Sequence, residues 1–181
     1  MKTAICLMFA CAVTAAPALA QAPPAAQGGQ KIPLSEGLRR SYNTLKMNLT
    51  EAAQKFDDAN YGYTPSPDIR GFGAQLAHVA NSQFNACAAA KGEANPHQGT
   101  NLEKTKTTRA DIRQALTESM DYCDRAFASM HDATKANTPR PFRQAQFPAL
   151  AILNFRNYHA LLHWGNAITY MRLRGKVPPS A

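Results

Sequence analysis

Four stretches of the chain repeat apolar residues at alternating steps of three and four, and this pattern constrains the fold more than any other feature of the sequence. Such spacing puts apolar side chains on one face of an α-helix. No stretch shows a convincing strand pattern, so the sequence predicts an all-α fold built from four helices. The apolar positions are Leu38, Tyr42, Leu45, Leu49, Ala52 and Phe56; Ile69, Phe72, Leu76, Ala80 and Cys87; Ile112, Leu116, Cys123, Phe127 and Met130; and Ile152 and Phe155, which continue toward Tyr170.

Turn and capping residues indicate where the helices begin and end. Pro67 suits the first position of a helix, and Thr108 with Asp111 resembles a capping box in which Asp replaces Glu. Gly175, followed by Pro178 and Pro179, is a strong stop signal. We therefore expect helices from near Ser35 to before Tyr61, from Ser66 to Lys91-Gly92, from Thr108 past Phe127, and from Phe147-Pro148 to Arg174.

The connection between the second and third helices is longer than an antiparallel pair needs. The segment from Gly92 to Thr107 can span about 50 Å at roughly 3.3 Å per residue. A helix of about 22 residues is only about 33 Å long. The connection thus allows helices two and three to run parallel in a four-helix bundle.

The N-terminus has the features of a secretory signal peptide. Met1-Lys2 precedes an apolar run from Ala4 to Ala16, and Ala18-Leu19-Ala20 is a small-x-small cleavage pattern. A membrane anchor is the alternative, but it needs about 20 continuous apolar residues. We expect residues 1–20 to be removed, 21–34 to be a flexible segment rich in Pro, Ala, Gln and Gly, and 35–181 to form one domain. The protein would then be periplasmic or extracellular, with no stable membrane insertion.

Export favours a disulfide between the two cysteines of the mature chain, Cys87 and Cys123. In a parallel arrangement of helices two and three, both residues lie at a similar height and on apolar faces. The alternative is a pair of buried free thiols that act as small hydrophobic side chains.

The distribution of charged residues argues against a nucleic-acid partner but excludes few other partners. The chain has 20 Lys and Arg against 12 Asp and Glu, a net charge of +8. These basic residues are scattered and are not interleaved with aromatic residues, so they predict a solvated basic surface. We expect no nucleic-acid partner. Anionic surfaces and small ligands stay possible, as do a monomer and a homodimer.

Two histidines at helical spacing form the candidate site. His159 and His163 are four residues apart and lie on one helix face, as two ligands of a divalent metal would. His78 is the candidate third ligand, since antiparallel packing of its helix would bring it level with them. The alternative is core histidines that bond to carbonyl groups. Polar residues that share these faces are pocket candidates: Asn81 beside His78, and Asn166 and Tyr170 beside His163.

Several familiar catalytic motifs are absent from the sequence. No acidic residue follows Asp132, so the last helix lacks both the Glu of a zincin motif and a general base. There is also no Cys-x-x-Cys-His haem motif, no Glu-x-x-His di-iron motif and no Gly-x-Ser-x-Gly nucleophile motif.

Three segments resemble the DinB-like superfamily: Phe72–Ala80, His159–Asn166 and Thr169–Pro179. The similarity covers essentially the whole domain. It implies a four-helix bundle with an up-down-down-up course and a divalent metal held by His78, His159 and His163. Where many members of the family have Arg and Gln after the last histidine, this chain has Trp164 and Asn166.

Two functions follow from these features. The first is a metal-dependent enzyme of transferase or hydrolase type, in which zinc, nickel or manganese lowers the pKa of a thiol or water molecule. The second is a non-catalytic periplasmic module that binds metal or a small ligand. A lack of carboxylates around the last helix would be consistent with this second function. A purely structural bundle with buried histidines is a third possibility.

Overall fold

The computed structural model describes Gly29, residues 31–131 and residues 133–179, and it is mostly helical with one small sheet. The predicted signal peptide and most of the predicted flexible segment lie outside the described residues. From Ile32 onward the chain forms one compact unit. Its elements are α1 (Leu34–Lys55), α2 (Asp58–Tyr61), α3 (Phe72–Lys91), α4 (Leu102–Thr105), α5 (Arg109–Ala128), a 3-10 turn (Ser129–His131), α6 (Ala133–Asn137), β1 (Pro139–Phe142), β2 (Ala145–Pro148) and α7 (Ala149–Leu173).

The four long helices α1, α3, α5 and α7 enclose the core. Helix α3 packs against α5 on one side and α7 on the other, and α1 also contacts α5 and α7. A disulfide joins Cys87 of α3 to Cys123 of α5. Within the part of the chain that the structure describes, no helix has the length and apolar character needed to cross a membrane.

A buried arginine crosses the core next to the site described below. Arg156 of α7 is 1% exposed and donates to Gln83 Oε1 of α3 at 2.5 Å. Its guanidinium carbon lies 4.4 Å from the centroid of the Tyr42 ring of α1. Tyr42 in turn donates to Asp124 of α5 at 2.6 Å. Because a buried cation is costly without partners, these contacts join α1 and α3 to Arg156 of α7, and Asp124 extends the network to α5.

The start of α3 differs from the sequence prediction. The helix begins at Phe72, and residues 64–71 form a turn instead of the expected first helical turn from Ser66. The Thr64 hydroxyl donates to the carbonyl of Ser66 and that of Ile69, and the Phe72 N–H donates to the Tyr63 carbonyl at 2.9 Å. These bonds provide partners for backbone carbonyl and N–H groups in a turn, so this segment does not need to be helical. The predicted helix start at Ser66 is therefore wrong.

Helix α1 also differs from the sequence prediction at both ends, but by fewer residues than α3. It begins at Leu34 after Pro33, one residue before the expected cap Ser35. It ends at Lys55, and Asp57 then caps the separate helix α2, its side chain accepting from the Asn60 N–H. A new N-cap here explains why the helix predicted to run from near Ser35 to before Tyr61 ends earlier, at Lys55.

The expectation that the chain has no strand is wrong. β1 and β2 form an antiparallel hairpin in which Arg140 faces Phe147 and Phe142 faces Ala145. Both strands have only four residues and both contain proline, so no alternating pattern marks them in the sequence. Phe147 and Pro148 belong to β2, so α7 begins at Ala149 and not at the predicted Phe147-Pro148.

The long connection between α3 and α5 folds back onto α3. Asn101 caps α4, its side chain accepting from the Glu103 N–H, and Leu102 is buried. Asn81 Oδ1 of α3 accepts from the Leu102 N–H at 3.4 Å. The connection is therefore anchored to α3 directly beside His78.

Candidate metal centre

Helices α3 and α7 bring His78, His159 and His163 together. The Nε2 atom of His159 lies 3.3 Å from Nε2 of His78 and 3.3 Å from Nε2 of His163. One ring nitrogen from each residue lies within 4.8 Å of the others, and all three side chains are half-buried. Among the described histidines, His97 packs instead on Phe84 and His131 is exposed.

A carboxylate fixes the orientation of His78. Its Nδ1 lies 2.5 Å from Glu103 Oε1, and Glu103 Oε2 accepts from Arg70 Nε at 2.7 Å. Burial opposes ionisation of Glu103, but hydrogen bonds from Arg70 and His78 lower its pKa overall. An ionised carboxylate can only accept, so the proton of a neutral His78 ring sits on Nδ1 and the Nε2 lone pair faces the cluster.

The side-chain amide of Gln75 fixes the orientation of His163. Its Nδ1 donates to Gln75 Oε1, and Gln75 Nε2 donates to the Tyr170 hydroxyl at 3.5 Å. The Nε2 lone pair of His163 therefore also faces the cluster. Gln75 is buried, so it holds its orientation without competition from water.

Aromatic contacts position His159. Its ring stacks on Phe155, with the centroids 5.8 Å apart and the planes 24° from parallel. The guanidinium of Arg143, in the hairpin turn, covers Phe155 at 4.4 Å. Arg143 has a φ of 56°, an uncommon backbone conformation for a residue other than glycine.

The local environment keeps the histidines of α7 uncharged. Burial lowers the pKa of both His159 and His163 to about 4. Neighbouring His78 contributes to this lowering for His159, and His159 and His78 contribute to it for His163. Both rings are thus neutral at pH 7, as metal ligands must be.

The spacing of the three rings fits a tetrahedral ion. Two nitrogens at about 2.0–2.1 Å from one ion, separated by a tetrahedral angle, lie about 3.3–3.4 Å apart. The observed Nε2 separations from His159 are both 3.3 Å. A neutral His159 ring carries one N–H, so without a cation its Nε2 can donate to only one of the two lone pairs that face it. The donor set suits zinc and related divalent ions and leaves a coordination position free.

A cavity of about 570 Å³ opens beside His163. Gln75, Arg70, Asn166 and Tyr170 line it, so two of the three predicted pocket residues border this opening. Asn81 is not among its lining residues and instead accepts from the Leu102 N–H.

Sequence reasoning missed Glu103 and Gln75. The expectation that no carboxylate supports the site was based on the acid-free α7, and Glu103 corrects it, since it arrives from α4 in the connection. Asn101 ahead of Glu103 is a capping signal for a short helix, but nothing in the sequence places that helix next to His78.

The fold and the site define a mostly helical protein with a cluster of three histidines between two long helices. Residues 42–167 match the family model of the DinB superfamily. The chain belongs to this superfamily, and the resemblance found in the sequence is confirmed. None of the curated proteins matches the chain.

Solved structures share the fold at low identity. A DinB-like protein from Bacillus cereus is 16% identical with a TM-score of 0.67, and the match covers 81% of this chain and 96% of that chain. A DinB-like protein from Bacillus subtilis is 18% identical with a TM-score of 0.61, over 78% and 94%. A mycothiol-dependent maleylpyruvate isomerase is 16% identical with a TM-score of 0.59, over 75% of this chain and 61% of that chain. These similarities concern the fold.

Proposed function

We propose that this protein is an exported, divalent-metal-dependent enzyme that activates a thiol or a water molecule in a transferase or hydrolase reaction. The observation that carries the proposal is the convergence of three imidazole nitrogens, with 3.3 Å between His159 Nε2 and each of the other two. Hydrogen bonds at the outer nitrogens of His78 and His163 orient both rings toward the shared point.

Each residue has a defined part in this proposal. A divalent ion held by His78, His159 and His163 would act as a Lewis acid and lower the pKa of a thiol or water molecule. Glu103 and Gln75 keep the ring protons on the outer nitrogens of His78 and His163. The cavity beside His163, bordered by Asn166 and Tyr170, is large enough for a small-molecule substrate.

The proposal includes an up-down-down-up bundle of the four long helices. Tyr42, early in α1, contacts Asp124, late in α5, which supports antiparallel α1 and α5. The Cys87–Cys123 disulfide joins late positions of α3 and α5, which supports a parallel pair. Gln83 of α3 meets Arg156 of α7, and His78 meets His163, which supports antiparallel α3 and α7.

A thiol is the first co-substrate to test. One relative with this fold is a mycothiol-dependent isomerase. Three neutral imidazoles leave the full charge of a divalent ion uncompensated, and such a charge favours a thiolate or hydroxide over its protonated form. Small thiols with electrophilic acceptors, and activated esters, therefore form the substrate panel.

The test is metal analysis of the purified protein and its His163→Ala variant after reconstitution with zinc, nickel or manganese. We expect one equivalent in the wild type and a large loss of affinity in the variant. His131→Ala, which removes an exposed histidine, is the matched control and should bind like the wild type. Failure of the wild type to retain metal would rule out the proposal. Bound metal without turnover of thiols or esters would favour the non-catalytic binding module instead.

A further inference from the structure

A second cavity, bordered by Glu103, has a basic lining. Its volume is about 760 Å³. Glu103 borders it, while His78, His159 and His163 do not. The cavity is formed where the end of the α3–α5 connection meets α2 and the beginning of α5. It is thus a separate space that shares one wall residue with the candidate metal centre.

Three cationic residues, Lys106, Arg109 and Arg113, line this cavity, and all three are half-buried. The guanidinium carbon of Arg109 lies 5.7 Å from the ring centroid of Tyr61, another lining residue. The positive charges of Arg109 and Arg113 both act against the effect of burial on the pKa of the Tyr61 hydroxyl. Like charges that are partly removed from water within one cavity repel one another, and an anion between them relieves that repulsion.

The acidic residues at the cavity do not neutralise these charges. Asp58 pairs with Arg109 at 3.2 Å, but its side chain is 82% exposed, so the pair is screened by water. The Glu103 carboxylate is occupied by Arg70 and His78. Neither Lys106 nor Arg113 forms an ion pair with an acidic residue in the described part of the chain.

Some hydrogen-bond donors at this cavity also lack an acceptor among the described residues. Arg109 donates to the Gln54 carbonyl at 2.8 Å, but its buried Nε has no acceptor among the described residues. Arg109 is also the first residue of α5, and the first N–H groups of a helix have no acceptor within the helix. Apolar contact area comes from Tyr61 and Ile112.

We propose that this cavity binds a phosphate oxyanion, either as the free ion or as the phosphate group of a small molecule. Lys106 and Arg113 would supply charge-assisted hydrogen bonds, and Tyr61 with Ile112 would contact the rest of the ligand. This binding site is independent of the proposed metal-dependent activity, because its donors contact none of the three histidines.

The test is isothermal titration of the metal-free full chain with inorganic phosphate and with glycerol 3-phosphate, each against sodium chloride at equal ionic strength. We expect one phosphate per chain and a raised unfolding temperature. Arg113→Gln and Lys106→Gln should each weaken binding by about tenfold or more, since hydrogen bonds between charged groups are the strong ones. Arg125→Gln removes an equal charge from the other end of the same helix and should bind like the wild type.

Two outcomes would overturn the proposal. One is an effect of chloride equal to that of phosphate at the same ionic strength, and the other is an equal loss of affinity in Arg125→Gln. Tighter binding of glycerol 3-phosphate than of phosphate would identify an organic ligand, whereas equal binding would identify the free anion. Zinc retention is measured separately, so failure here and failure of the proposed metal site are distinguishable.

Discussion

The carboxylate of Glu103 is the residue-scale feature on which the metal centre depends most. It fixes the proton of His78 on Nδ1 and is itself oriented by Arg70. Loss of such an outer partner commonly lowers metal affinity by about 10–100-fold. We therefore expect Glu103→Gln to weaken zinc binding by about this factor, as measured by competition with a chelating dye.

The matched control for this change is Glu118→Gln on the exposed face of α5. It removes the same charge far from the histidines and should keep wild-type zinc affinity. Equal zinc affinity of Glu103→Gln and the wild type would show that His78 does not need this carboxylate for its orientation.

The two histidines of α7 also predict how the metal-free protein responds to acid. Burial lowers the pKa of His159 and His163 to about 4 in the folded state, against about 6.5 in an unfolded chain. Between these values the unfolded state binds more protons, so stability falls as the pH is lowered from about 6.5 toward 4.

Urea unfolding of the metal-free protein between pH 4 and 7.5 measures this dependence. The double variant His159→Asn and His163→Asn should lose part of the slope, because it lacks both groups with lowered pKa. An unchanged slope in the double variant would mean that other groups account for the acid sensitivity.

At the scale of elements, the disulfide between α3 and α5 stabilises the packing of two helices that are not joined by a short turn. The bridge closes a sequence separation of 36 residues. A cross-link of this span reduces the freedom of the unfolded chain and contributes about 2–4 kcal/mol. We expect the double variant Cys87→Ala and Cys123→Ala to unfold at lower urea concentration, with a free energy of unfolding reduced by about this amount.

Alkylation of the unreduced protein, followed by mass measurement, checks the bridge directly. Neither cysteine of the mature chain should take up label before reduction, and both should do so afterwards. Label on both cysteines of the native, unreduced protein would contradict the pairing.

The long helices could be predicted because their apolar spacing reflects burial of one face. The Thr108 cap of α5 was also predicted, and its hydroxyl accepts from the Asp111 N–H as a capping residue should. The hairpin could not be predicted, since its four-residue strands contain prolines and gain their stability from contacts with α3 and α7. The start of α3 at Phe72 could not be predicted from apolar spacing. Hydrogen bonds of the Thr64 side chain stabilise a turn before it, and such bonds leave no mark on the spacing of apolar residues.

At the scale of the whole molecule, export stays a prediction that rests on residues 1–20 of the sequence. Expression of the full chain in a bacterium, followed by fractionation and mass measurement, tests it. We expect the exported form to begin near Gln21, since the small residues Ala18 and Ala20 suit a signal peptidase. Retention of Met1 on a cytoplasmic protein would contradict the prediction.

The sequence by itself determined the helical architecture, the superfamily and the three histidines, because helical spacing and local motifs are recorded in neighbouring residues. Only the tertiary structure decided that Glu103 and Gln75 support those histidines and that Lys106, Arg109 and Arg113 line one cavity. Glu103 follows His78 by 25 residues and Gln75 precedes His163 by 88. Contacts over such separations depend on how the connection and the helices pack, and no local pattern in the chain specifies that packing.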